Sequence, residues 1–170
     1  MAKIRKKKNR SLPVLGWTEW VSLPELAVPK IRCKVDTGAR TSALHAFYVE
    51  GFLEDGKQRV RFGLHPDQDN SETEIHCVAD VEDTRNVTDS GGHVESRYVI
   101  KTPVVIGTEM WPIEITLTNR DTMRFRMLLG RTAIADNYLV DSGRTAQMGK
   151  PSLTPAAHAF VAGRYDEEEE

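Results

Sequence analysis

Val35-Asp36-Thr37-Gly38-Ala39 decides how the chain is read. It closes the apolar-rich stretch 31–35, which reads as a strand running into a tight turn. Gly38 carries no Cβ and lets the backbone approach something closely. Thr37 offers a hydroxyl that both donates and accepts. The Asp36 carboxylate then stands at the mouth of a turn, where a substrate can meet it. Asp and Gly are ordinary turn residues, so the triplet needs a second element before it means more than a turn.

That element is Phe125-Arg126-Met127-Leu128-Leu129-Gly130-Arg131, an apolar run ending in Leu-Leu-Gly-Arg far downstream. The pair resembles the retropepsin-like aspartic peptidases, in which one element is the active-site turn and the other the strand supporting it. The longer strings Lys34-Val35-Asp36-Thr37-Gly38-Ala39-Arg40-Thr41-Ser42-Ala43-Leu44-His45-Ala46 and Met127-Leu128-Leu129-Gly130-Arg131-Thr132-Ala133-Ile134 narrow the likeness. They resemble the bacterial group often labelled ATP-dependent zinc protease (RimB-like), whose members are associated with ATP-grasp amino-acid ligases. The resemblance covers about 16–149. It implies an all-β, closed acid-protease barrel with one lobe per chain and a flap hairpin between the turn and the last strands.

Composition agrees with a soluble globular domain: 170 residues, 39% hydrophobic and 28% charged. A net charge of −2 gives no general attraction to nucleic acid. Two cysteines, Cys33 and Cys77, supply neither a disulfide framework nor a C-x-x-C metal pair, and read as reduced core thiols of a cytoplasmic protein. No apolar signal segment follows the basic start, and no run is long enough to span a membrane. The basic arm (1–14) reads as a solvated tail, with RNA or an acidic partner as the competing reading. A retropepsin-like domain (15–150) follows, and a loose acidic tail (151–170) ends the chain.

Within the domain, short alternating runs separated by turn residues predict strands at 15–21, 31–35, 42–49, 59–64, 74–81, 98–106, 111–117 and 139–141. A turn is expected at 119–123 and a short helix at 132–136. Many short strands with almost no helical periodicity argue independently for an all-β, nearly closed sheet. Ser90-Gly91-Gly92 suggests a hairpin tip, which the resemblance makes the flap (about 84–96). The surplus chain then falls at about 51–83, an insertion without an assigned role.

Peptide hydrolysis of this kind needs two carboxylates sharing one proton. One acts as base on a water, while the protonated one polarises the scissile carbonyl. The chain has one Asp-Thr-Gly. Asp141-Ser142-Gly143 has matching letters, but it follows the Leu-Leu-Gly element too closely to belong to a second lobe, and is read as a turn. Two copies of Asp36 must then come from two chains about a two-fold axis. The resemblance implies catalytic Asp36, Thr37 and Gly38, with Thr37 tying the two turns together. It places substrate against Ala39, Gly91 and Gly92, and support in Arg40, Leu129, Gly130 and Arg131.

Competing chemistry is poorer. His45, His65, His76 and His93 lack metal-ligand spacing, and the adjacent His76 and Cys77 point to opposite faces of a strand, so no metal is expected. No phosphate-binding glycine loop appears, so no nucleotide cofactor is expected. The expected function is a homodimeric aspartic endopeptidase acting on a peptide or protein. The alternative is a non-hydrolytic peptide-binding module working with an ATP-grasp ligase or its modified substrate.

Overall fold

The computed structural model describes residues 11–120 and 124–152. The chain begins with β1 (Val14–Leu15) and β2 (Thr18–Leu23), turns through a 3-10 helix at Pro24–Leu26, and continues as β3 (Val28–Asp36). Next come β4 (Ser42–His45), β5 (Tyr48–Glu54), β6 (Lys57–Leu64), β7 (Ile75–Asp80), β8 (Asp83–Thr88), β9 (Val94–Ile106) and β10 (Glu109–Thr118). Finally β11 (Met127–Gly130) runs into the single-turn α1 (Arg131–Ile134), and β12 (Leu139–Val140) follows. The fold is all-β.

Pairing runs β10–β4–β11–β3–β2–β9, and β9 pairs back onto β10, so the circuit of six strands returns to its start. β8 extends the sheet along the first half of β9. β3 shows why these residues make walls of such a sheet. Val28, Ile31, Cys33 and Val35 are buried, while Lys30 and Lys34 between them are exposed. The core collects Leu15, Leu23, Ile31, Leu44, Ile100, Ile106, Ile115, Met127 and Leu129, all with side chains out of water. Each such burial contributes about 1.5–3 kcal/mol. Burial also pushes the Cys33 thiol up to about 12 and the Cys77 thiol to about 11, which keeps both unreactive.

The predicted 42–49 strand is two strands. β4 stays in the circuit, where Ala46 N still bonds to Thr118 O, but Phe47 N turns to Gly63 O and β5 joins a separate sheet, β5–β6–β7. Residues 42–46 are all buried and the bend at Phe47 carries no glycine or proline, so nothing in the string marked the change of partner. That sheet buries Val60, Phe62, Leu64 and Cys77 against the common core, with Cys77 Sγ 3.5 Å from the Leu26 carbonyl. The predicted 15–21 strand is likewise divided at Gly16. The carbonyl of Arg144 passes so close there that a Cβ would sit 2.3 Å from it. Of the basic arm, residues 1–10 lie outside the described residues, and Val14 at its end pairs with Leu139. The tail from 153 onward and 121–123 of the expected turn also lie outside. Among the described residues no helix is long and apolar enough to cross a membrane.

The segment after β12 runs alongside the start of the chain. Asp141 N bonds to Leu15 O, Trp17 N to Arg144 O, and Ala146 N to Thr18 O. Glu19 holds this seam. Its side chain is buried, and its carboxylate accepts N–H bonds from Gly16 (2.8 Å), Gln147 (2.9 Å) and Met148 (2.9 Å). A buried charge is tolerated there because donors from two segments surround it. Glu19→Gln turns an NH2 toward one of those donors. It should cost about 2 kcal/mol in urea denaturation, with faster amide exchange at Gln147 and Met148. A change below about 0.5 kcal/mol, the size of an ordinary surface substitution, would contradict this role.

Candidate active site

β3 ends at Asp36, in register with Gly130 at the end of β11. Oδ1 of Asp36 accepts the backbone N–H groups of Gly38 (3.1 Å) and Ala39 (3.2 Å), and Ala39 N also lies 3.2 Å from Asp36 O. The carboxylate is thereby held by the turn it begins. A Cβ on Gly38 would stand 3.3 Å from Oδ1. The glycine therefore eases close approach to the carboxylate, which a Cβ would push aside by a few tenths of an ångström, and its φ lies outside the left-handed region. Among the described residues the other oxygen, Oδ2, has no hydrogen-bond partner. Asp36 is half-buried, whereas Thr37 and Gly38 are exposed.

The turn is braced from the other end of the chain. Arg131 donates through its backbone N–H to Ala39 O (2.8 Å) and through Nη1 to Thr37 O (2.9 Å). Thr132 donates its N–H (3.0 Å) and its hydroxyl (2.8 Å) to Arg40 O. Gly130 N donates to the buried Ser42 hydroxyl at 3.0 Å. A Cβ on Gly130 would lie 2.5 Å from the Thr41 carbonyl carbon and 2.7 Å from Ser42 N, so only glycine lets the two backbones cross. Leu129 is fully buried beneath and pairs with Val35.

Asp36, Thr37, Gly38, Ala39, Arg40, Leu129, Gly130 and Arg131 thus come together. Arg40 is joined to the others through its carbonyl, and neither Arg40 nor Arg131 is in an ion pair among the described residues. Ser42 and Thr132 are functional supports that sequence reasoning passed over. Both lie inside the strings quoted above, but their hydroxyls matter only through bonds spanning most of the chain.

Asp141-Ser142-Gly143 forms the same local turn, with Gly143 N donating to Asp141 Oδ1 at 2.9 Å. Its other oxygen, however, is 3.3 Å from Arg144 Nε. The ion pair occupies Asp141, in contrast to the open Oδ2 of Asp36. His76 and Cys77 do face opposite ways, His76 exposed and Cys77 buried. Among the described residues no three or more His, Cys, Asp or Glu side chains gather as a metal-ligand set.

Gly91 and Gly92 cap the β8–β9 hairpin, whose tip closes through Asp89 N to His93 O (2.9 Å) and Gly92 N to Asp89 O (3.1 Å). Gly92 has φ +83°, where a side chain would be strained. The neighbours of Gly91 are Asp89 and His93, and nothing lies within 4 Å of a Cβ on Gly92. Oδ1 of Asp89 accepts from Gly91 N and His93 N, both at 2.9 Å, while Oδ2 binds Arg120 beyond the end of β10. Beside it Glu95 binds Arg97 (2.9 Å) and Thr118 (3.0 Å). The Arg120 bond, then the His93 N–H, hold the Asp89 carboxyl down at about 2 from an ordinary 3.8. The glycines at the tip are exposed, and ionic groups beside them, Asp89 and Glu95, tie the tip to the end of β10.

A family model described as "RimB-like: Retropepsin-like aspartic endopeptidase RimB" matches residues 14–151. A protein of Desulfotalea psychrophila named "Probable alpha-L-glutamate ligase" is 40% identical over 148 residues, covering 87% of this chain and 32% of that protein. One of the same name from Parasynechococcus marenigrum is 45% identical over 136 residues, covering 80% of this chain and 29% of that protein. The chain thus spans about a third of the length of these curated relatives. A crystal structure of Lpg0085, a Legionella pneumophila protein of unknown function, superposes with TM-score 0.66 at 24% identity. The match covers 80% of this chain and 98% of that one, and speaks for the fold alone.

Gly130→Ala should destabilise the protein by about 3 kcal/mol, because the clash is with backbone that cannot swing aside. Denaturation within 1 kcal/mol of wild type would show the crossing to be more compliant than this. Asp89 gives a pH signature. Its folded value lies below its ordinary one, so its contribution is complete above pH 3.8 and is lost as pH falls through about 2. NMR shifts of the Gly91 and His93 amides should therefore hold down to about pH 4 and move as pH falls toward 2. In Arg120→Ala the change should come nearer 3.8. A wild-type midpoint already at 3.8 would remove the anchoring role of Arg120.

Proposed function

The chain belongs to the RimB-like family of retropepsin-like aspartic endopeptidases, and on that premise we propose that it hydrolyses peptide bonds as a homodimer. The observation that carries this is the Asp36 carboxylate, clamped at one oxygen by two backbone N–H groups and, among the described residues, unpartnered at the other. One such group per chain is half of an aspartic dyad. The exposed Thr37 and Gly38 leave the turn open to a second copy.

In the dimer, Asp36 of one subunit is ionised and Asp36 of the partner subunit is protonated. The ionised carboxylate takes a proton from water as the water oxygen attacks the scissile carbonyl carbon. The protonated one donates to the carbonyl oxygen, giving a neutral gem-diol. A proton then passes to the amide nitrogen, the C–N bond breaks, and the carboxylic acid and amine leave. The Thr37 hydroxyl, facing solvent in the single chain, bonds across the axis. Arg131 and Thr132 keep the turn from yielding when substrate binds, which preserves the near-attack geometry. The hairpin bearing Gly91 and Gly92 covers the substrate and excludes bulk water.

The relatives' printed name directs the choice of substrate. Where a unit of this kind forms about a third of a protein named for glutamate ligation, the natural substrate is a peptide extended with glutamate. The partner is then the ligase or its product, in a thiol-reducing compartment such as the cytoplasm, consistent with two free cysteines. The same name favours a second reading, in which the groove captures that peptide without cutting it.

Asp36→Asn separates the two. The amide cannot act as base, so hydrolysis of a glutamate-rich peptide should fall by a factor of about a thousand or more while thermal unfolding is unchanged. Sedimentation should give a dimer for wild type and variant alike. A variant as active as wild type would end the aspartic mechanism, and a monomer at high micromolar concentration with peptide present would end the shared dyad.

A further inference from the structure

Beside the Asp36 turn lies a cavity of about 330 Å³ lined by Arg40, Thr41, Arg85, Lys101, Glu114 and α1 residues, with Trp111, Pro112 and Ile113 as its apolar floor. Its charge departs from that of the molecule. The whole chain carries a net −2, yet three cations here face one carboxylate. That carboxylate is already committed, since Arg85 Nη1 lies 2.5 Å from Glu114 and Arg85 Nε 2.8 Å from Asp83. Lys101 stands directly opposite Glu114 across the β9–β10 ladder, but the ion pair of Glu114 is with Arg85. The side chains of Arg40 and Lys101 have no hydrogen-bond or ion-pair partner among the described residues.

We infer that Arg40 and Lys101 determine specificity, together taking the carboxylate of an acidic side chain next to the bond that is cut. The inference rests on Asp36 being the hydrolytic centre and goes beyond it to the residues that choose the substrate. Its geometry comes from the chain itself. Arg40 ends the turn that Asp36 begins, and Thr132, which also lines the cavity, fixes the Arg40 carbonyl. A peptide extended across Asp36 advances roughly 3.3 Å per residue, so a nearby side chain reaches the cavity. The volume lies at the lower end of the roughly 300–1,000 Å³ of small-molecule pockets, fitting a side chain better than a cofactor. The apolar floor takes the methylenes of a glutamate, and the two cations bind its carboxylate by charge-assisted hydrogen bonds. Arg85 stays with Glu114 and closes the far wall.

The test compares fluorescein-labelled hexaglutamate and hexaglutamine peptides, equal in shape and different in charge. Cleavage is followed with the full chain, and binding by anisotropy with the Asp36→Asn variant, so that no turnover intervenes. Wild type should prefer hexaglutamate, with a preference that shrinks as salt is raised. Arg40→Gln and Lys101→Gln should each reduce that preference about tenfold, and together about a hundredfold. Arg40→Lys should retain part of it. Should the double variant fold poorly, Lys101→Gln alone carries the test, because that side chain is exposed. Equal affinity for the two peptides in wild type, or an undiminished preference in the variants, overturns the inference. If neither peptide is cut but hexaglutamate binding depends on Arg40 and Lys101, recognition of an acidic side chain by these two residues stands, while the peptidase reading falls and with it the placing of that side chain beside a cut bond.

Discussion

The structure depends on one backbone crossing. Gly130, at the end of β11, passes so close to Thr41 and Ser42 that no Cβ fits between them. From that crossing, Arg131 and Thr132 reach the carbonyls of Thr37, Ala39 and Arg40. Three peptide groups of the turn are thereby held by donors from the far end of the domain. A turn satisfied only by its own short hydrogen bonds would be a mobile loop. Satisfied from beneath, it becomes a fixed platform from which one carboxylate faces outward.

Rigidity is distributed unevenly around this platform. Beneath it are the buried faces of β11 and β3, with Leu129 paired to Val35 and Met127 to Cys33. The β8–β9 hairpin has a polar surface, a glycine at positive φ and exposed tip residues. Its order comes from charged groups beside its tip, where Asp89, Arg120, Glu95 and Arg97 meet. Ionic anchors of this kind respond to salt and pH, whereas buried apolar contacts do not. Glu19 shows a third arrangement, a buried carboxylate that joins the two ends of the domain because every donor around it is a backbone N–H.

The division of labour extends to charge. Among the described residues the Asp36 carboxylate is bonded by backbone N–H groups and by no cation, while the side chains of Arg40 and Lys101 nearby are in no ion pair. An aspartic dyad must hold one proton between two carboxylates, and a cation bonded directly to it would favour the doubly ionised, inactive form. On the function proposed above, cations displaced into a neighbouring cavity read an acidic substrate and leave the dyad to hold its proton.

Sequence alone determined the all-β class, the Asp36 turn, the Leu129-Gly130-Arg131 element, the hairpin at Gly91-Gly92 and the placing of Asp141-Ser142-Gly143 as a turn. The strands and turns are legible because alternation and turn chemistry are local, while the pairing of the Asp36 turn with Leu129-Gly130-Arg131 was legible through its resemblance to a known family. The split of 42–49 into β4 and β5 was not legible, since no glycine or proline marks the bend at Phe47. Nor were the supporting roles of Ser42 and Thr132, or the seam closed by Glu19, because each is a hydrogen bond between residues far apart in the chain. The basic cavity belongs to the same class: Arg40, Arg85 and Lys101 lie on three separate elements, and no spacing in the string brings them together. Periodicity records which way a side chain points. Only the closed circuit of strands, folding distant segments onto one another, decides what it meets.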